Sequence, residues 1–121
     1  MENVNIEKFE FGRIVVNGKE YKSDIFIFAD GKVESRSREL SQKKYGTGHY
    51  FCKEEIEKLL KDNPEILIFG CGEVGYCKIE DEGLKLLKKL NIEYKILPTQ
   101  KAIEIFNKTK GKKAGIFHVT C

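Results

Sequence analysis

The sequence is poor in several things that would direct a functional reading. It has no tryptophan, one methionine, two prolines and two histidines in 121 residues. Any imidazole chemistry is therefore restricted to His49 and His118. No apolar run approaches the ~20 residues that a membrane helix needs, so no membrane partner is expected. Met1-Glu2-Asn3-Val4 does not begin a basic-then-apolar signal, which points to a cytoplasmic setting. Charge of one sign is also scarce: 22 Lys and Arg stand against 19 Asp and Glu, a formal +3. That balance is too mild to imply a nucleic-acid partner. Four cysteines (Cys52, Cys71, Cys77 and Cys121) are too few for a disulfide-stapled mini-domain and are read as reduced thiols. What is abundant is core material. Eight Phe and five Tyr argue against disorder, and one domain over residues 1–121 can bury roughly 65% of its unfolded surface.

The first third has strand patterns. Arg13-Ile14-Val15-Val16 leads into Asn17-Gly18, a dipeptide suited to a tight hairpin turn, and Lys19 to Lys22 leaves it. Asp24-Ile25-Phe26-Ile27-Phe28 is an apolar run of the doubly buried kind, and Asp30-Gly31 turns the chain into Val33 to Arg36. An antiparallel meander is expected here. Residues 37–50 show neither helical nor strand period and are read as a long loop.

The remainder alternates. Helices are predicted over 54–62, 81–90 and 100–110, with strands over 65–69, 92–97 and 114–119. Asn63-Pro64, Asn91 and Gly111 stop the helices, and Thr99 is placed to cap the third. Strand, helix, strand, helix, strand is a βαβαβ unit. The expected fold class is α/β: a three-layer sandwich around a mixed central sheet, with the meander in front.

Ligands in open α/β sheets gather at the carboxyl ends of the parallel strands. Here that edge carries Gly70-Cys71-Gly72 and Pro98-Thr99. Gly70, Gly72 and Gly75 formally match G-x-G-x-x-G, but no helix opens directly after them, so a tight turn is the better reading and no nucleotide cofactor is expected. Cys71 would become a nucleophile only with a lowered thiol pKa and a histidine in reach, and is read first as a small turn residue. His49 with Cys52 and His118 with Cys121 would make a His₂Cys₂ set, yet a strand sends residues three apart to opposite faces, and no metal is expected. Arg36, Arg38, Lys43, Lys44 and Tyr45 form one basic stretch, and Lys108, Lys110, Lys112 and Lys113 another. Both are read as solvated faces.

Leu97-Pro98-Thr99-Gln100-Lys101-Ala102, Phe106-Asn107 and the terminal Gly115 to Cys121 are similar to the end of the adipogenesis-associated Mth-type domain family. A related mitochondrial complex I assembly factor resembles a branch of the same superfamily. Phe11-Gly12, Tyr21 with Asp24, Gly46 with His49, and Ile68 to Gly72 agree upstream, so the likeness spans nearly the whole chain. It implies a three-layer α/β fold and no established catalytic activity. The residues it brings over are Gly70, Gly72, Thr99, Ala102, Asn107, His118, Thr120 and Cys121, with His49.

Two functions are expected to compete. The first is a non-enzymatic protein-interaction, assembly or regulatory factor with an unidentified protein partner. The second is a small-molecule-binding protein or enzyme with a cleft at the Gly70–Gly72 turn, drawn from His49, Gly70, Cys71, Gly72, Thr99, Asn107, His118, Thr120 and Cys121.

Overall fold

The computed structural model describes residues 4–120. Its centre is a five-stranded mixed sheet, ordered β5 (Val33–Ser35), β4 (Ile25–Ile27), β10 (Lys113–His118), β7 (Ile66–Cys71) and β9 (Glu93–Leu97). β7, β9 and β10 run parallel, and the helices α3 (Asp81–Leu90) and α4 (Thr99–Lys108) make the two crossovers. β4 lies antiparallel to β10, and β5 lies antiparallel to β4. In front, β1 (Ile6–Glu10), β2 (Arg13–Val16) and β3 (Lys19–Tyr21) form a separate antiparallel sheet. The mixed α/β architecture is thus as expected, with the meander divided between two sheets.

Period-two alternation builds the three layers. Ile25, Ile27, Ile66, Ile68 and Phe117 face one side, where α4 contributes Ala102, Ile103 and Phe106 and the front sheet contributes Ile6, Ile14 and Val16. Phe26, Leu67, Phe69 and Ile116 face the other, against Ile56 and Leu59 of α2 (Lys53–Leu59) and Leu87 of α3. Asn17 and Gly18 both take positive φ (48° and 82°), as the β2–β3 hairpin requires. Asn91 ends α3 in the left-handed conformation.

Residues 37–50 are not wholly a loop. Glu39–Tyr45 is a helix, α1, which carries one buried residue, Ser41, and so shows no apolar period. It closes at Gly46, whose φ is 70° and whose N–H bonds Gln42 O. β1 also precedes the first predicted strand. A two-residue parallel pair, β6 (Tyr50–Phe51) with β8 (Lys78–Ile79), ties the segment after α1 to the one before α3. Gly70 and Cys71 belong to β7 rather than to its exit, and the turn is made at Gly72, with φ 98°. No helix among the described residues is long and apolar enough to cross a membrane.

Asn107, near the end of α4, bonds to the backbone of β1. Its Nδ2 donates to Ile6 O at 2.8 Å and its Oδ1 accepts from Ile6 N–H at 2.9 Å. One side-chain amide thus mimics a strand partner and clips β1 to α4.

Candidate functional site

The carboxyl ends of β7 and β10 converge on a buried charged centre organised by Asp24. This residue sits one position before β4, where the antiparallel pairing brings it beside the end of β10. Its Oδ2 receives His118 Nδ1 at 2.7 Å and one guanidinium nitrogen of Arg36 at 2.7 Å. Its Oδ1 accepts from the Val119 N–H at 2.9 Å and from Arg38 at 2.8 Å. The side chains of Asp24, Arg36 and His118 have no exposed surface, and that of Arg38 is 31% exposed. Arg36 also forks onto Glu55, with contacts of 2.6 and 3.0 Å, and donates to Tyr50 O at 2.5 Å. Glu55 in turn accepts the Cys52 N–H at 3.0 Å at the start of α2. Among the described residues, no buried side-chain nitrogen or oxygen lacks a partner.

The electrostatics follow from this packing. Burial alone would raise the Asp24 pKa. Hydrogen bonds from His118, Arg38 and the Val119 N–H outweigh it and hold the carboxyl well below the usual range. Because an ionised carboxylate only accepts, His118 Nδ1 carries its proton, and in the neutral ring Nε2 is an acceptor. His49 Nδ1 lies 2.9 Å from that nitrogen and Thr120 Oγ1 lies 3.2 Å from it. Arg38 completes the loop by donating to Thr120 Oγ1 at 3.0 Å. The result is a carboxylate–imidazole–imidazole chain running from the buried interior to the half-buried His49.

Burial, and then the neighbouring His118, pull His49 below its ordinary pKa of 6.5. A lowered folded-state value means that the unfolded chain binds the proton first as pH falls. This contribution to stability is full above 6.5 and is lost as pH falls through the folded value. The urea midpoint of the wild-type protein is expected to decline between about pH 7 and 5 for this reason, and His49→Gln should flatten that decline. An unchanged slope in the variant would remove His49 as its source. The carboxyls of Asp24, Glu54 and Glu80 are also held low, so a second, steeper decline is expected below about pH 4.5.

Thr99 does not cap α4. Pro98 occupies the N-cap position and no side chain caps that end. Thr99 is fully buried, and its Oγ1 accepts the Gly72 N–H at 2.8 Å while its hydroxyl donates to His118 O at 2.6 Å. It therefore bridges the ends of β7 and β10. Gly70 is held by close packing: a Cβ there would lie 2.9 Å from Phe117 and 3.1 Å from Thr99 Oγ1.

Cys71 lies in the apolar layer facing α2 and α3, and burial pushes its thiol up to about 12, the opposite of nucleophile activation. Cys52 is pushed up to about 11, burial again being the larger cause. Among the described residues, no group of three or more His, Cys, Asp or Glu is placed to hold a metal ion. Cys121 and the contacts expected of it lie outside the described residues.

The structure therefore brings His49, Gly72, Thr99, His118 and Thr120 together around Asp24, with Gly70 packed against Thr99. Asn107 sits at the other end of α4. Sequence reasoning names Asp24 only within the family likeness, does not single out Glu55, and reads Arg36 and Arg38 as a solvated face, whereas Arg36 is buried and both arginines pair with Asp24. A signal does exist: 19 of the 22 basic residues are Lys, and two of the three arginines are Arg36 and Arg38. Arginine in a lysine-rich chain marks a bidentate, buried pairing more than a solvated face. Lys43 does conform to the solvated reading, with only an exposed partner in Glu39. Lys44 instead joins Tyr45 in holding Glu80.

Known structures share this arrangement of strands and helices. The chain is similar to the conserved hypothetical protein PH1505 of Pyrococcus horikoshii OT3, at 35% identity and a TM-score of 0.89 over 97% of this chain and 99% of that one. It is also similar to a protein named MT938, at 35% identity and a TM-score of 0.82 over 98% and 99%. An Mth938-like domain from Bordetella pertussis has the same fold at 15% identity and a TM-score of 0.61, over 96% of this chain and 85% of that one. A model of proteins of unknown function, DUF498/DUF598, matches residues 6–117, and the chain belongs to that family.

Proposed function

We propose that the protein is a non-enzymatic, cytoplasmic interaction factor of the assembly or regulatory kind, and that it engages a protein partner at the end of the sheet where β7 and β10 finish. The observation that carries this reading is the exposure of apolar side chains on the turns there: Val74 at 62%, Tyr76 at 72% and Phe11 at 61%. Both turns are fastened to the residues that follow β10, through Gly12 N–H to Val119 O at 2.7 Å and Glu73 N–H to Thr120 O at 3.2 Å. Aromatic and aliphatic side chains held out on anchored turns are the material of interface hot spots. The polar centre behind them is committed to its own partners, which suits a rigid platform. The sequence resemblance to the adipogenesis-associated Mth-type domain family supports an assembly or regulatory role.

The test compares affinity capture from native extract by the wild-type protein and by a Val74→Ser/Tyr76→Ser variant of matched melting temperature. A stoichiometric partner captured by the wild type and lost at least tenfold in the variant is the expected result. Equal capture by both, or a wild-type protein that is monomeric by light scattering and recovers no stoichiometric partner, would overturn the reading.

A further inference from the structure

The central sheet is left open on the side of β9. This strand is last in the order and pairs only with β7. No backbone hydrogen bond other than that ladder reaches Glu93–Leu97 among the described residues. The outer edge of β9 therefore presents a row of N–H and C=O groups on which another strand can add. Its side chains divide between the two faces of the sheet. Ile92, just before the strand, and Tyr94 pack at the margin of the layer that holds α3, while Leu97 packs on the layer that holds α4. By alternation Ile96 shares the first face, and Glu93 and Lys95 share the second. Ile96 is 45% exposed, and Leu90 at the end of α3 is 50% exposed. Glu93 and Lys95 are exposed and form no ion pair among the described residues.

The order of charges along this edge is self-complementary. A second copy related by a two-fold axis normal to the sheet pairs antiparallel, and the rotation returns each side chain to its own face. The axis must then pass between two copies of one residue. Centred on Glu93 or on Lys95, the pairing would set like charges directly opposite each other. Centred on Ile96, it would bring Pro98, which has no N–H, into the ladder opposite Tyr94. Centred on Tyr94, it sets Glu93 of each copy opposite Lys95 of the other, and Ile92 opposite Ile96. Both charges are then paired on one face, and a row of isoleucine and tyrosine closes on the other. We propose that the protein pairs with a second copy of itself through β9 in this Tyr94-centred register, joining the two central sheets into one. The contact uses β9, not the turns that carry Val74 and Tyr76.

The experiment is sedimentation equilibrium of the full chain over a roughly hundredfold range of concentration, since a dimer grows with concentration. The wild-type protein is expected to approach the mass of two chains. Glu93→Lys and Lys95→Glu each set like charges opposite each other twice over, and each should weaken the dimer roughly tenfold. The double exchange Glu93→Lys/Lys95→Glu restores both pairs and should return the affinity to within about threefold of the wild type. Both positions are exposed, so the melting temperature of dilute samples should hold across the set. Hydrogen exchange at alternate β9 amides should slow as the wild-type dimer forms. A monomer at every concentration overturns the proposal, as does a dimer that ignores both single exchanges or is not restored by the double one. Val74→Ser/Tyr76→Ser should leave the dimer intact, whatever it does to partner capture. Loss of the dimer in that variant alone would put the contact at the turns and equally overturn the proposal.

Discussion

Asp24→Asn is expected to destabilise the protein by roughly 3–5 kcal/mol at pH 7, the usual effect of removing one partner from a buried ion pair. The substitution preserves the volume of the side chain and removes its charge. Two guanidinium groups and an imidazole N–H converge on the present carboxylate, with the Val119 N–H as a fourth donor. Asparagine offers one accepting oxygen and turns a donating NH₂ toward the rest. Arg36 keeps Glu55, but Arg38 loses its only charged partner among the described residues. For a domain of this size the melting temperature should fall by roughly 10–20 °C.

The pH dependence gives the sign. The folded-state pKa of Asp24 is depressed. Its contribution is therefore complete above the unfolded value of about 3.9 and is lost progressively as pH falls toward the folded one. Wild type and variant should converge in strongly acid solution. Urea unfolding from about pH 2.5 to 7 checks both parts, and a loss under about 1 kcal/mol at neutral pH would mean that the network contributes little.

Thr99→Val should cost roughly 2–4 kcal/mol, with Thr99→Ser distinctly milder. Valine has the shape of threonine without its hydroxyl, so the substitution leaves the Gly72 N–H and the His118 carbonyl without the bridge that now joins them at 2.8 and 2.6 Å. Each buried group left unsatisfied costs about 1–3 kcal/mol. Serine keeps the bridge and loses one methyl, worth about 1 kcal/mol. The order of the two variants in chemical denaturation decides the cause. If serine proves worse than valine, Thr99 acts through packing rather than through its hydroxyl. The consequence also reaches the site, because the bridged carbonyl belongs to His118. Thr99→Val should therefore shift the His118 ring resonances, whereas a remote core substitution should not.

The legible parts of the structure are those with local causes. Asn17-Gly18 announces its hairpin, Asn91 its helix end, and the apolar runs at 66–69 and 114–117 their buried strands, because turn chemistry and side-chain period act over a few residues. α1 escapes such reading because a seven-residue helix with one buried residue has no period to read. Threonine one residue after Pro98 fits the pattern of a helix cap locally. Its hydroxyl is claimed instead by Gly72, 27 positions away.

The same division holds for the candidate site. Gly72 and Thr99 can be singled out from their positions at strand ends, and His118 and Thr120 through the family likeness. Asp24 and His118 are 94 residues apart, and nothing local to either indicates the other. Sequence alone determined the α/β class, the βαβαβ unit and the near-neutral surface, since these depend on composition and period. Tertiary structure decided which charges are buried together. Antiparallel pairing of β4 with β10 sets Asp24 against His118, and two arginines in a chain of lysines then supply the neutralising charge that a buried carboxylate requires.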